Sequence, residues 1–552
     1  MRKRRSRSHV RSILALPLIP AALLVAAHGS QPEPRWPQQA AVQSQPAPNS
    51  GSTERSQPAR GKPEGTVVIG MRAELTTLDQ GAGSIPEITV GENMFETLVY
   101  RNFDGSVRPH LAERWTVSPD GLTYTFSLRK AVKFHNGEPF TAEAVKFSLE
   151  WIRDPNVFTQ FKGYWTDIKT VEVVDDYTVK FHLKQPNPLL IPLLPWHLAI
   201  LPPKYVSENR KTWGRKPIGT GPYKFVEWVP NERIVMEANM DYWQGPPPFK
   251  TLIFRPIPDE TARTAALLSG GVQLVGPLSL DHAAMVGAAP GLRVVWTDSL
   301  QRERLAIRHD VKPFDDIRVR QAIHHAIDEE AIIKNILLGK AIDIHGPLVD
   351  LEWGYDPNLK GPYPYNPARA KELLAQAGYP RGFEVDFEYA PGITPKNTET
   401  AEAIVNYLGA IGIKAKLNAI DYGKYTSKSR NHQLAPLSTS FWTGGGNFHG
   451  WQPFAILLDC EKSSPLWNPK PRYWCNPEVD KLIAAGVQAL HGRDEATAKR
   501  LYAQAQKMAA DYVYQIWLWQ FKEPWGVSGK LTFRPKGNND LIMYWDQASW
   551  NK

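Results

Sequence analysis

The chain has 552 residues, too many for a single compact core, so two or three domains are expected. Hydrophobic residues make up 42% and charged residues 22%, the ordinary balance of a soluble globular protein. The net charge of +9 drops to +3 without Arg2, Lys3, Arg4, Arg5, Arg7 and Arg11, and so small a balance excludes a nucleic-acid or membrane-surface role built on charge.

The six basic residues head a leader. An apolar run from Ile13 to Ala27 follows them, and small residues surround its end at Ala26, Ala27 and Gly29. That order is expected of a cleaved secretory signal peptide over residues 1–29. The run is short for a membrane span and holds Pro17 and Pro20; an uncleaved anchor is the alternative. The two cysteines, Cys460 and Cys475, lie far from the leader, so no leader cysteine is present to carry a lipid, and a soluble periplasmic protein is expected. In that oxidising compartment their spacing makes a disulfide reasonable, stabilising by about 3 kcal/mol through loop closure; two free thiols are the alternative. Residues 30–64, rich in Pro, Gln, Ser and Ala, have little to bury and read as a disordered tether.

The folded part begins near Thr66. Thr66–Gly70 reads as a buried strand. Leu122, Tyr124, Phe126 and Leu128 alternate with polar residues, as a half-buried strand requires. Val145, Leu149 and Ile152 share one helical face behind Thr141, a candidate cap. Thr170–Lys184 reads as a hairpin turning at Asp175-Asp176. Farther on, Val319, Ala322, Ile323, Ala326 and Ile327 form a helical stripe, with Gly339 as its expected stop. Asn366-Pro367 and Asn476-Pro477 each supply a cap and a first-turn proline, and Gly378 ends the first of these helices. Phe383–Tyr389 is a short apolar run between helices. Mixed α/β domains fit this order.

Catalytic signatures are missing: the sequence holds no phosphate loop, nucleophile elbow, zinc-protease motif or dinucleotide fingerprint. Leu268-Ser269-Gly270-Gly271 resembles an ATPase signature but stands without a phosphate loop, so it reads as a helix end and turn. His324 and His325 are neighbours on a helix and point about 100° apart, which prevents joint chelation. His135, His345, His432 and His449 show no ligand spacing, so no metal site and no cofactor are expected. Asp175-Asp176 and Asp315-Asp316 read as turn and cap carboxylates. The segment Phe441–Trp451 stands out: Gly444, Gly445 and Gly446 expose backbone amides between Trp442, Phe448 and Trp451, a composition suited to a binding cleft as well as to a flexible loop.

Long collinear motifs give this chain a relationship. Leu111-Ala112-Glu113-Arg114-Trp115, Asp120 to Arg129, and Val132 to Ala142 come first. Gly219-Thr220-Gly221-Pro222-Tyr223, Asn231 to Val235, Asp241-Tyr242-Trp243, Tyr365 to Pro380 and Trp474 to Pro477 follow. Across residues 66–552 the chain resembles the family 5 extracellular solute-binding proteins, the peptide- and nickel-binding receptors of ABC importers. The resemblance implies an α/β, two-lobed periplasmic-binding-protein clamp of type II, cluster C-like, with an extra β-rich subdomain inserted in lobe I. Lobe I would span residues 65–107, 214–303 and a C-terminal return over 523–552. The insert would take 108–213 and lobe II 304–522, with crossovers near 304 and 522. A disulfide like Cys460–Cys475 also occurs in relatives.

The same resemblance implies a monomeric receptor that captures a small solute, by family default a short peptide, and delivers it to ABC permease subunits without chemistry, cofactor or nucleic acid. The implied pocket residues are Leu75, Thr76 and Thr77 after the opening strand, Trp196 and Trp353 in Pro-rich segments, and Trp442, Thr443, Gly444, Gly445 and Asn447 in the glycine loop. A core role is equally expected for each tryptophan. Peptide-binding relatives carry an Asp where this chain has Gly445, and the dipeptide binders among them a carboxylate-binding Arg near Lys396, which is the substitute offered here. These departures open the way to a sugar-like, opine, nickel or metallophore ligand. A secreted hydrolase with a cleft carboxylate pair is the alternative of another class.

Overall fold

The computed structural model describes residues 62–79, 85–102, 106–157, 159, 162–187, 189–442, 454, 458, 476–492, 494–535 and 548–551. The leader, the tether through residue 61, Thr443, Gly444, Gly445, Asn447 and both cysteines lie outside the described residues.

The strands, in chain order, are β1 (Thr66–Met71), β2 (Val99–Arg101), β3 (Val107–Pro109), β4 (Ala112–Val117), β5 (Thr123–Leu128), β6 (Ile168–Asp175), β7 (Thr178–Leu183), β8 (Tyr223–Val229), β9 (Arg233–Ala238), β10 (Thr251–Pro256) and β11 (Leu274–Val275). They continue with β12 (Leu292–Ile307), β13 (Ala341–Asp343), β14 (Glu384–Tyr389), β15 (Lys414–Ala419), β16 (Leu437–Trp442) and β17 (Gln515–Ser528). One sheet runs in the order β15-β14-β16-β12-β17-β11-β1-β10-β9-β8, with β13 also paired to β17. A separate four-stranded sheet, β4-β5-β7-β6, has its own core around Phe126, Trp165 and Phe181.

The large sheet has two halves. In the first, β1 runs parallel to β10 and β11, over a core that includes Ile69, Met94, Phe254 and Trp525. In the second, β14 lies parallel to β15 and β16, over a core that includes Ile323, Phe387, Ile404 and Trp519. Two long antiparallel strands, β12 and β17, join the halves, and their register breaks between Asp298 and Arg302. The helices Pro477–His491 and Glu495–Asp511 pack a further core around Tyr502, Tyr514 and Trp517.

Local chemistry accounts for most of the elements read from sequence. In β5, Tyr124, Phe126 and Leu128 are buried while their neighbours are half-exposed. Asp175 turns the β6–β7 hairpin by accepting from the Tyr177 amide at 2.8 Å. Asn366 and Asn476 cap their helices through side-chain oxygens. Gly378 then ends the first of these at φ +93°. Gly270, at φ +78°, makes the turn after helix Glu260–Leu268.

Two expectations need correction. Thr141 sits at its helix start but makes no side-chain capping bond. The stripe ending at Ile327 does not run to Gly339. That helix stops at Ala326, and Asp328 caps a second one, Glu329–Asn335, before Gly339 turns the chain. Two glycines of the family-like motifs are required by close packing. Gly219 and Gly221 back onto the Met94 carbonyl so closely that a Cβ would lie 2.0 and 2.7 Å from its oxygen.

A polar network fills the break in the β12–β17 register. Arg302 and Glu352, both fully buried, form a two-point ion pair: Nη1 to Oε2 at 2.9 Å and Nη2 to Oε1 at 3.1 Å. Glu352 Oε2 also accepts from the Val349 amide at 3.0 Å. Burial raises the Glu352 carboxyl above its ordinary pKa and lowers that of Arg302, and the pairing opposes both shifts. Ser299 donates to Glu523, Gln520 donates to the Ser299 carbonyl at 2.9 Å, and Lys522 meets Asp298 at 3.3 Å. Glu303, next along β12, accepts from the Thr394 hydroxyl at 2.6 Å.

Breaking the buried pair leaves one uncompensated charge, so Arg302→Met lowers stability by about 3–5 kcal/mol, while Arg302→Met with Glu352→Leu recovers most of the loss. Urea unfolding of both variants checks this; equal losses contradict it. Burial raises the Glu303 carboxyl to about pKa 7, against 4.5 in an unfolded chain. The folded state therefore keeps this proton longer, and its stabilising contribution is complete below about pH 4.5 and lost as pH rises to about 7. The stability of the natural protein minus that of Glu303→Gln falls across that window; parallel pH profiles contradict the assignment.

Candidate functional site

The strand registers direct a set of loops to one place. Ile69 and Gly70 lie beside Leu274 and Val275, which pair with Val527 and Gly526. The carboxyl ends of β1 and β11 therefore point along β17 toward Lys522 and the register break. In the other half, Leu437 lies opposite Ile307 and Trp442 opposite Arg302, while Phe387 lies beside Leu437. The carboxyl ends of β14 and β16 thus approach the same break from the opposite side. Open α/β sheets place ligands at the carboxyl ends of their parallel strands. Here the chain leaves β1, β11, β14 and β16 toward the register break from two directions.

One contact joins the opposing loops directly. Lys396 Nζ lies 2.7 Å from Asp281 Oδ2 and 3.4 Å from Glu399 Oε1. Asp281 is in the first turn of helix Leu280–Ala288, which follows β11. Lys396 precedes helix Asn397–Ala410, which follows β14, and holds a left-handed backbone at φ 55°. The hydrogen bond to Asp281 raises the pKa of the ammonium and keeps it charged. The amine considered from sequence as a ligand-carboxylate partner is used across the cleft in this arrangement.

The loop after β1 is held at several points. Leu75 and Leu78 are buried in the first core, and the Leu78 amide donates to the Gly214 carbonyl at 2.8 Å. The exposed Thr76 donates its amide and its hydroxyl to Glu87 Oε1 at 3.0 and 3.1 Å. Thr77 Oγ1 accepts from the Asp79 amide at 3.0 Å. Glu74 Oε1 accepts from Trp228 Nε1 at 3.0 Å, and the Arg215 guanidinium stacks 3.9 Å from the centroid of that indole. Glu74 Oε2 is buried and accepts no hydrogen bond.

Of the remaining sequence candidates, Trp353 and Trp442 pack against a different core from that of Leu75 and Leu78. Trp442 closes β16 and packs, partly buried, against the same core as Trp353. Trp353 meets Tyr502 edge-on at 5.8 Å, and Lys499 approaches its ring at 5.4 Å. Trp196 falls in helix Leu190–His197; its side chain lies outside the described residues. Sequence reasoning passed over Glu74, Asp281, Glu303 and Thr394. None of them belongs to a motif, each lies in a stretch that reads as a solvated loop or cap, and only the strand registers bring them to one edge. Among the described residues no group of three or more His, Cys, Asp or Glu has the arrangement to hold a metal ion, and no helix is long and apolar enough to cross a membrane.

Known proteins share both sequence and architecture with this chain. Residues 106–464 match the family model described as bacterial extracellular solute-binding proteins, family 5 middle. The glutathione-binding protein GsiB of Salmonella choleraesuis (strain SC-B67) is 32% identical over 452 residues, 80% of this chain and 86% of the relative. HbpA2 from Haemophilus parasuis superposes with a TM-score of 0.78 at 27% identity, covering 88% of this chain and 100% of that one. The periplasmic binding protein DppA from Helicobacter pylori, in complex with the peptide STSA, superposes with a TM-score of 0.71 at 27% identity, covering 89% and 98%. The two-lobed type II clamp inferred from the sequence motifs is thus the fold of the molecule. The chain belongs to the family 5 bacterial extracellular solute-binding proteins, and its role is that of the substrate-binding component of an ABC importer.

Proposed function

We propose that the chain captures a short peptide or peptide-like solute between the two halves of its sheet and hands it unchanged to permease subunits. The 2.7 Å Lys396–Asp281 contact carries this reading, because it joins loops from both halves at the edge where the carboxyl ends of the parallel strands meet. A small solute held there touches both halves only when they are closed. Contacts made only in the closed state shift the population toward it, and a permease that recognises the closed form then receives a loaded receptor. Lobe I is assigned to residues 65–107, 214–303 and 523–552, the insert to 108–213, and lobe II to 304–522. The pocket is assigned to the loop around Thr76 and Thr77 and to the segment beginning at Trp442. Removal of the leader over residues 1–29 frees the monomer into the periplasm, where Cys460 and Cys475 pair.

The relatives support a peptide-like ligand. GsiB is named for glutathione, itself a tripeptide, and DppA holds a tetrapeptide. Capture without chemistry agrees with the missing catalytic signatures.

Thermal unfolding with glutathione, trialanine, an oligosaccharide, an opine and a nickel–histidine chelate tests the ligand class. A bound ligand at a hundredfold excess over Kd stabilises by about 2.7 kcal/mol. Glutathione or trialanine raises the melting temperature and is recovered intact by mass spectrometry. A shift confined to the sugar, opine or nickel complex contradicts the peptide reading, and a cleaved peptide contradicts the receptor role.

A further inference from the structure

We propose that Glu74 receives a cationic nitrogen of the ligand, an ammonium in the peptide class; the assignment rests on the peptide-like reading above. The loop that carries Glu74 leaves β1 at the edge facing the other half of the sheet. Leu75 and Leu78 are 2% and 0% exposed, and Thr76 is tied to Glu87, so this stretch of backbone is fixed. The carboxylate is fixed as well, since Trp228 Nε1 occupies Oε1 at 3.0 Å. Its second oxygen is buried without a donor.

Nearby charges leave that oxygen unserved. Among the described residues no lysine, arginine or histidine forms an ion pair with Glu74. Arg215 lies over the Trp228 ring. Asp79, the other carboxylate of the loop, accepts from Trp151 Nε1 at 3.4 Å. A buried carboxylate oxygen with no donor is costly, and each such group in a folded protein calls for a partner. An ammonium supplies both the donor and the compensating charge, and charge-assisted bonds of this kind are about twice as strong as neutral ones. Lys396 is already committed to Asp281, and Gly445 offers no side chain. Glu74 thus gives the cleft an anionic acceptor in a loop whose neighbours are otherwise satisfied.

Calorimetric titration of the exported protein and its Glu74→Gln variant with glutathione, trialanine and their N-acetylated forms tests this. Glutamine keeps an oxygen for Trp228 and puts an amide nitrogen, a donor, in place of the second oxygen, which removes both the charge and the free acceptor. The natural protein prefers the free amines; Glu74→Gln weakens them at least about tenfold and erases the preference. A preference that survives in Glu74→Gln, or none in the natural protein, overturns the assignment. Glu74→Asp, which withdraws the charge by one methylene, falls between the two and replaces Glu74→Gln if that variant lacks a native melting transition. If the natural protein binds none of the four probes, the peptide reading fails, and native mass spectrometry of both proteins decides Glu74 separately. A co-purified solute with a protonated nitrogen, held by the natural protein and lost from Glu74→Gln, upholds it. A solute without such a nitrogen, equal occupancy, or water alone overturns it.

Discussion

The pairing of β12 with β17 is the constraint on which the rest of the molecule depends. These strands link the two halves of the large sheet, and each half builds its own core against them. Where the register breaks, backbone hydrogen bonding is interrupted, and buried side chains take its place. Arg302 and Glu352 lie fully buried at this point and bind one another twice. Two charges taken from water at such cost hold only with this geometry. The site where two halves can change their relation is therefore one of specific polar contacts rather than continuous ladder.

A second ion pair works in the opposite regime. Lys396 and Asp281 meet in partial exposure, at 26% and 69% of their side-chain surface. Pairs of that kind contribute about 0–1 kcal/mol and weaken with salt. A contact so weak costs little to break, whereas breaking the Arg302–Glu352 pair leaves a buried charge without its partner. In the closure proposed above, the strong pair holds the crossover and the weak pair forms where the halves meet, and a ligand supplies the remaining preference through contacts with both sides.

Local elements were legible in the sequence because their causes are local. The alternation in Thr123–Leu128, the Asp175 turn and the Asn-Pro helix starts need only neighbouring residues. The two long strands were not legible for a physical reason. Gln301-Arg302-Glu303-Arg304 reads as a solvated loop, and its burial is tolerated only by partners such as Glu352 and Thr394, far along the chain. Gly339 was misplaced as a stop because Asp328 begins a second helix within the same apolar stripe. In the loop after β1 the sequence reading named Thr76 and Thr77 as pocket candidates and passed over Glu74. A single glutamate in a loop reads as solvated until its unpaired buried oxygen is seen.

Closure around the β12–β17 crossover is the central claim, and small-angle X-ray scattering of the exported protein tests it most directly. The radius of gyration is compared without ligand and with saturating ligand from the thermal screen. The account predicts a more compact particle with ligand and an unchanged molecular mass. A radius that stays the same while calorimetry shows the site filled would contradict it.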